Sequence, residues 1–406
     1  MPQIVSLPRR ALRGLGWIAA IGAILAAIGW WVSAPSTPDD FYTPPASPPA
    51  AHGILLQAKP YTQGVPAGAR AWRILYTTTR ADDRPAIASA IVMLSKTAPI
   101  GPRPTLAWAH GTTGIVPGCA PAVMRQPFAN VPAVDRILAA GMVYVATDYV
   151  GLGTPGGHAY LVGDEAARGV LDAVRAARGV NGVLLDGRIV VWGHSQGGNS
   201  ALWAGIRTGS YAPDLSLIGV AAFAPASDLK ALFQTNRGSM FGKIVSSYLL
   251  PAYAAAYPDV DANGYANAWT RTLSRDIAGR CVGGWGTLFS AAEAALLPSQ
   301  GIFAGEPANG ALGARLAGNT PTAPIPAPVL IGQGLDDDLV LPAVQARYVK
   351  ERCASGQAID YRTYAARDHV SLVADDSPLA ADAMRWTLDR IAGKPAAKGC
   401  PISPLH

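Results

Sequence analysis

The stretch "VVWGHSQGGNS", residues 190–200, decides how the chain is read. An apolar run breaks off at Gly193, His194, Ser195, Gln196 and Gly197, leaving one serine with a glycine two positions away on either side. A buried strand that reverses at once into a helix puts its turn residue under backbone strain, and glycines remove the side chains that would collide there. Such a turn lifts the Ser195 hydroxyl clear of the sheet. A glycine-rich turn alone proves no chemistry, so the reading depends on whether the rest of the chain supplies partners for that hydroxyl.

The 406 residues suffice for a large core, as one α/β domain with an insertion or as two domains. Half the residues are apolar, which excludes disorder. The formal charge of +6 comes from basic residues scattered along the chain rather than gathered on one periodic face, which argues against nucleic acid as a partner. Arg9, Arg10 and Arg13 precede the uncharged run 14–32, so residues 1–34 read as an export signal or an N-terminal membrane anchor, with membrane association through 14–32 in the second case. The small residues at 32–34 suit a signal peptidase, whereas Pro35 opposes cleavage there. Prolines then recur too densely for helix or central strand, and 35–53 reads as a stiff linker. Four cysteines in an exported chain point to disulfides, with three pairings open. With neither C-x-x-C nor H-E-x-x-H in the sequence, no metal is expected.

From residue 54 onward short apolar runs alternate with helical patterns, the mark of strands joined by crossover helices. Residues 70–79 and 86–94 form an antiparallel opening pair. Runs at 105–110, 142–149, 188–193, 217–225, 327–334 and 358–365 follow as buried strands, giving an α/β architecture with a mainly parallel eight-stranded sheet flanked by helices. About a hundred residues separate the sixth strand from the seventh, far more than a loop needs. This places a mostly helical cap at 226–322, inserted into a core made of 54–225 and 323–406. Its aromatics Trp269, Trp285 and Phe289 suggest an apolar acyl or alcohol pocket.

A nucleophilic serine needs a base, and the base an acid that holds its tautomer. Of six histidines only His369 and His406 follow Ser195, and His406 ends the chain. His369, in "YAARDHVSL" just past the last strand, is therefore the candidate base. Asp336, Asp337 and Asp338 follow the strand at 327–334 directly; three adjacent carboxylates repel one another, so some face solvent while one can partner His369. Oxyanion donors are expected from the backbone amide of Gln196, at the unpaired start of a helix, and from "AHGTTG" (109–114), where Gly111 allows close approach and Thr112 or Thr113 presents an amide.

Taken together these residues resemble the secretory lipase family of α/β-hydrolases. The likeness rests on "FYTPP" (41–45), "WAHGTTG" (108–114) with "CAP" (119–121), "ATDYVGLGTPGGHAYL" (146–161), "DAVRAAR" (172–178), "GHSQGG" (193–198), "GQGLDDDLVLP" (332–342) and "DHVSL" (368–372). It implies the α/β-hydrolase fold and cleavage of ester or lipid substrates through an acyl-enzyme, with no cofactor. It implies Ser195, Asp337 and His369 as the triad, because Gly334, Asp337 and Val340 match the family's spacing around its acid, with Asp336 second. It also implies the disulfides Cys119–Cys281 and Cys353–Cys400 and a secreted or periplasmic protein. The segment "IVPG" (115–118) departs from the commoner polar residues of the family and leaves the oxyanion threonine open. A peptidase, an acyltransferase or a noncatalytic binding protein could use the same scaffold.

Overall fold

The computed structural model describes residues 17, 20–22, 24, 27–98 and 100–405. Most of 1–34, with His406, therefore lies outside the described residues; those of 14–32 that are described are helical. Among the described residues no helix is long and apolar enough to cross a membrane.

The chain lays down β1 (Leu55–Tyr61), β2 (Ala69–Thr79), β3 (Pro85–Ser95), β4 (Arg103–Ala109), β5 (Val143–Val150), β6 (Leu185–His194), β7 (Ser216–Phe223), β8 (Val329–Gly334), β9 (Ile359–Tyr364) and β10 (Ile402–Leu405). They form one sheet in the order β1-β2-β3-β5-β4-β6-β7-β8-β9-β10. The pairs from β1 to β3, and β3 with β5, are antiparallel; every other pair is parallel. The sheet thus has ten strands where the apolar pattern predicts eight. The two extra strands are its edges, where a strand has one partner and its pattern is weak. Each carries a proline, Pro60 and Pro404, which an edge tolerates because one row of N–H groups has no ladder to feed.

The central strand β6 shows why the sheet needs both faces covered. Ile189 and Val191 enter the core under the helices Gly163–Ala177 and Gln196–Tyr211, while Val190 and Trp192 enter the one under Val134–Ala139 and Pro378–Ile391. Two-sided burial gives a continuous apolar run rather than alternation. Between β7 and β8 lie the helices Leu229–Asn236, Met240–Ala256, Ala262–Tyr265, Arg271–Ala278, Gly284–Leu296 and Gly310–Gly318. They share a third core around Tyr248, Tyr253, Ile277 and Phe303, which also takes in Tyr160 and Leu161 from the loop after β5.

Residues 35–53, read from the sequence as a stiff linker, form a strap packed on the domain. Phe41 and Tyr42 are buried, Arg73 stacks 4.4 Å over the Phe41 ring, the Tyr42 hydroxyl donates to the Ala122 carbonyl, and His52 pairs with Asp172 at 3.0 Å. The aromatic pair supplies the apolar area that the prolines lack. Trp269 and Trp285, expected to line an apolar pocket, are 62% and 56% exposed, and Phe289 is half-buried on the helix Gly284–Leu296. All four cysteines are paired. Cys119–Cys281 ties the loop after β4 to the insertion, and Cys353–Cys400 ties the helix Pro342–Ala354 to the segment entering β10.

Candidate active site

Ser195 stands at the junction of β6 with the helix Gln196–Tyr211, at φ 56° and ψ −117°. A non-glycine residue in that region is strained and persists only where its surroundings enforce it. Here its N–H donates to the Phe223 carbonyl and its own carbonyl accepts from the Ala226 N–H. The flanking glycines are obligatory. A Cβ at Gly193 would lie 2.0 Å from the Gly197 carbonyl oxygen, and one at Gly197 would lie 1.9 Å from that of Ala109.

The loop after β9 brings His369 over this turn. Its Nε2 is 2.8 Å from the Ser195 hydroxyl and its Nδ1 is 2.8 Å from Asp337 Oδ2. Asp337 is buried, whereas Asp336 and Asp338 on either side are exposed. The buried carboxylate accepts the N–H groups of Leu339 and Val340 on Oδ1 and the Gln333 amide on Oδ2. Asp337 Oδ2 accepts the hydrogen bond of His369 Nδ1–H, which leaves Nε2 as an acceptor for the serine hydroxyl.

The loop after β4 reaches the same serine. A Cβ built on Gly111 would come within 3.7 Å of the Ser195 Cβ. His110 Nδ1 donates to the Gly111 carbonyl at 2.7 Å and the Tyr149 hydroxyl donates to the His110 carbonyl at 3.1 Å. In a planar trans peptide the carbonyl and the following N–H point in opposite directions, so fixing the Gly111 carbonyl fixes the direction of the Thr112 N–H. The Thr112 hydroxyl shares a 2.7 Å hydrogen bond with Tyr160. Thr113 differs: its carbonyl accepts from the Val282 N–H of the insertion, and its hydroxyl is buried with no partner among the described residues.

Three further histidines surround the site. His158 Nδ1 donates to the Val150 carbonyl, so its Nε2 accepts the Gln196 side-chain amide at 2.9 Å. His194 Nε2 donates to the carbonyl of His369, the two rings lying 4.8 Å apart. Burial pushes His110 down to about 4 and His158 and His194 down to about 3, so all three stay neutral near pH 7. Sequence reasoning passed over these three and Gln333. The available signal was position, because His110, His158 and His194 all lie in segments that carry the family likeness. Among the described residues no cluster of metal-ligating side chains occurs.

The secretory lipase profile matches residues 128–399, about two thirds of the chain. The chain belongs to the secretory lipase family. This member is a serine-type carboxylic-ester hydrolase by family and an exported protein. It is 27% identical over 88% of its length to the "probable inactive lipase MT1628" of Mycobacterium tuberculosis, covering 82% of that protein. It is 24% identical to Lipase A of Moesziomyces aphidis over 87% of this chain and 81% of that one. The crystal structure of Candida antarctica lipase A superposes with a TM-score of 0.74 at 19% identity, covering 90% of this chain and 89% of that one, and so shares the α/β-hydrolase fold.

Proposed function

We propose that this secretory lipase family member is catalytically active, with Ser195 as nucleophile, His369 as general base and Asp337 as the acid that orients it. His369 Nε2 takes the Ser195 proton as the oxygen attacks the ester carbonyl. The backbone N–H groups of Gln196 and Thr112 receive the negative charge that develops on the carbonyl oxygen. His369 then passes its proton to the departing alcohol, and water releases the acid from the acyl-enzyme by the same route in reverse. Thr112 is preferred to Thr113 because the His110 hydrogen bond to Gly111 orients its amide. Asp337 is preferred to Asp336 because it alone of the two is buried against the imidazole.

The observation that carries this reading is the unbroken Ser195–His369–Asp337 relay, with both contacts at 2.8 Å. A relative named a probable inactive lipase makes that relay the deciding feature, since a scaffold without it would bind and not turn over. Residues 226–322 act as a cap over the body formed by 54–225 and 323–406, and 1–34 directs export. A cavity of about 570 Å³ lies between the body's Ile115 and His158 and the cap's Ala252, Ala255 and Tyr257, with the charged Arg80, Asp82, Arg84 and Glu165 also lining it, and its wall residue His158 bonds the Gln196 side chain. The test is reaction with a fluorophosphonate probe together with hydrolysis of 4-nitrophenyl butyrate. Wild type labels and turns over, and Ser195→Ala does neither while keeping its melting temperature. Equal turnover in Ser195→Ala would reject the assignment.

A further inference from the structure

The cap holds a second cavity, of about 300 Å³, that the proposed mechanism leaves without a role. It is bounded by the helices Met240–Ala256, Ala262–Tyr265 and Arg271–Ala278, with Ile115 of the loop after β4 on the inner side. Ile115 and Pro251 also border the larger cavity, so the two spaces meet at a common wall. The lining is mainly apolar, including Ala266 and Ala278, with the neutral polar Ser247, Asn263 and Ser274 and two cations. Neither Arg271 nor Arg275 has a carboxylate partner among the described residues, and no Asp or Glu lines the cavity. Arg271 spends one nitrogen on the Asn263 carbonyl and leaves its buried Nε without a partner. Elsewhere in the cap the arginines are paired, Arg237 with Glu306, Arg280 with Asp276 and Glu293, and Arg315 with Asp259.

A mainly apolar recess bordered by two guanidinium groups without carboxylate partners, Arg271 half-buried and Arg275 exposed, matches a ligand with a hydrocarbon body and an anionic head. Guanidinium groups bind carboxylates through paired, charge-assisted hydrogen bonds, and apolar recesses with a few convergent polar groups are the usual form of a small-molecule site. We infer that this cavity binds a fatty carboxylate, chain against Ile115, Ala266 and Ala278 and carboxylate on Arg271 and Arg275. The inference goes beyond the ester-hydrolase reading, because binding is measured without turnover. The ligand has two sources of identical chemistry, the acid released at Ser195 and free fatty acid from the surroundings.

The experiment titrates laurate, below its micellar concentration, into the full chain carrying Ser195→Ala. Saturable binding is expected, weakened at least tenfold by the pair Arg271→Gln and Arg275→Gln. Dodecyltrimethylammonium, with the same chain and the opposite charge, should not bind. Ala262→Trp, at a half-buried position on the rim, narrows the cavity and should weaken laurate while leaving both arginines in place. Absence of laurate binding, equal affinity in the double variant, or equal affinity for the cation would overturn the inference. A second arm distinguishes the sources in wild type hydrolysing 4-nitrophenyl butyrate. Inhibition by laurate that the double variant relieves marks a product site, and binding without inhibition marks an independent one; both keep the site.

Discussion

His194 Nε2 donates to the carbonyl oxygen of His369 at 2.8 Å, so the residue just before the serine holds the loop that carries the base. The bond crosses 175 positions of sequence and sets the height of the imidazole above the Ser195 hydroxyl. Replacing His194 by Phe keeps the aromatic volume and strands a buried carbonyl, at a cost of about 1–3 kcal/mol. If that cost falls on the placement of the base, kcat drops about tenfold or more with KM little changed. Steady-state kinetics alongside a melting curve check this, and a KM effect without a kcat effect would contradict it.

The three adjacent aspartates give a sharper test. Asp337→Asn removes the charge that fixes the imidazole tautomer, and activity should fall about 10⁴-fold, as in other serine triads. Asp336→Asn changes an exposed side chain and should stay within about twofold of wild type. Assaying the two variants side by side separates them, and an equal loss in both would remove Asp337 from its assigned role.

His110 should matter through the peptide it orients. In His110→Leu the Gly111 carbonyl loses its donor, the Thr112 N–H is free to turn away, and kcat is expected to fall about 10²-fold, the scale of losing one oxyanion donor. His110→Asn puts an amide N–H close to the position of Nδ1 and should recover most of the rate. A trifluoromethyl ketone inhibitor, which forms the oxyanion, should weaken in parallel with kcat, whereas an uncharged ester analogue should not.

Asp148 offers a pH test of stability. It is buried, accepting from the Ser89 hydroxyl and the Ala122 N–H, and burial pushes it up to about 6 from the model-compound value of 3.8. A carboxyl raised on folding binds its proton more tightly in the native state. Native stability from this group is therefore full below the unfolded pKa and is lost as pH rises from about 4 through 6, at about 1.4 kcal/mol per unit. Asp148→Asn does not titrate. Its melting temperature relative to wild type should rise across that window, and a flat difference would exclude the effect.

Local sequence carried the reading as far as local forces reach. The glycines around Ser195, the buried parallel strands and the single interior histidine after the serine were legible because steric conflict and two-sided burial act within a few residues. The sheet's edges were not, since Leu55–Tyr61 and Ile402–Leu405 become strands only by pairing with β2 and β9. Nor was the buried aspartate decided by the residues themselves, because 336, 337 and 338 are chemically identical and only the fold chooses which one turns inward. Trp285 shows the converse, an apolar side chain that hydrophobicity would bury and the packing of its helix leaves outside. The histidines at 110, 158 and 194 acquire their duties from carbonyls and amides brought in by other loops. Backbone conformation is a near-neighbour property, whereas the direction a side chain faces and the partner it meets are properties of the assembled core.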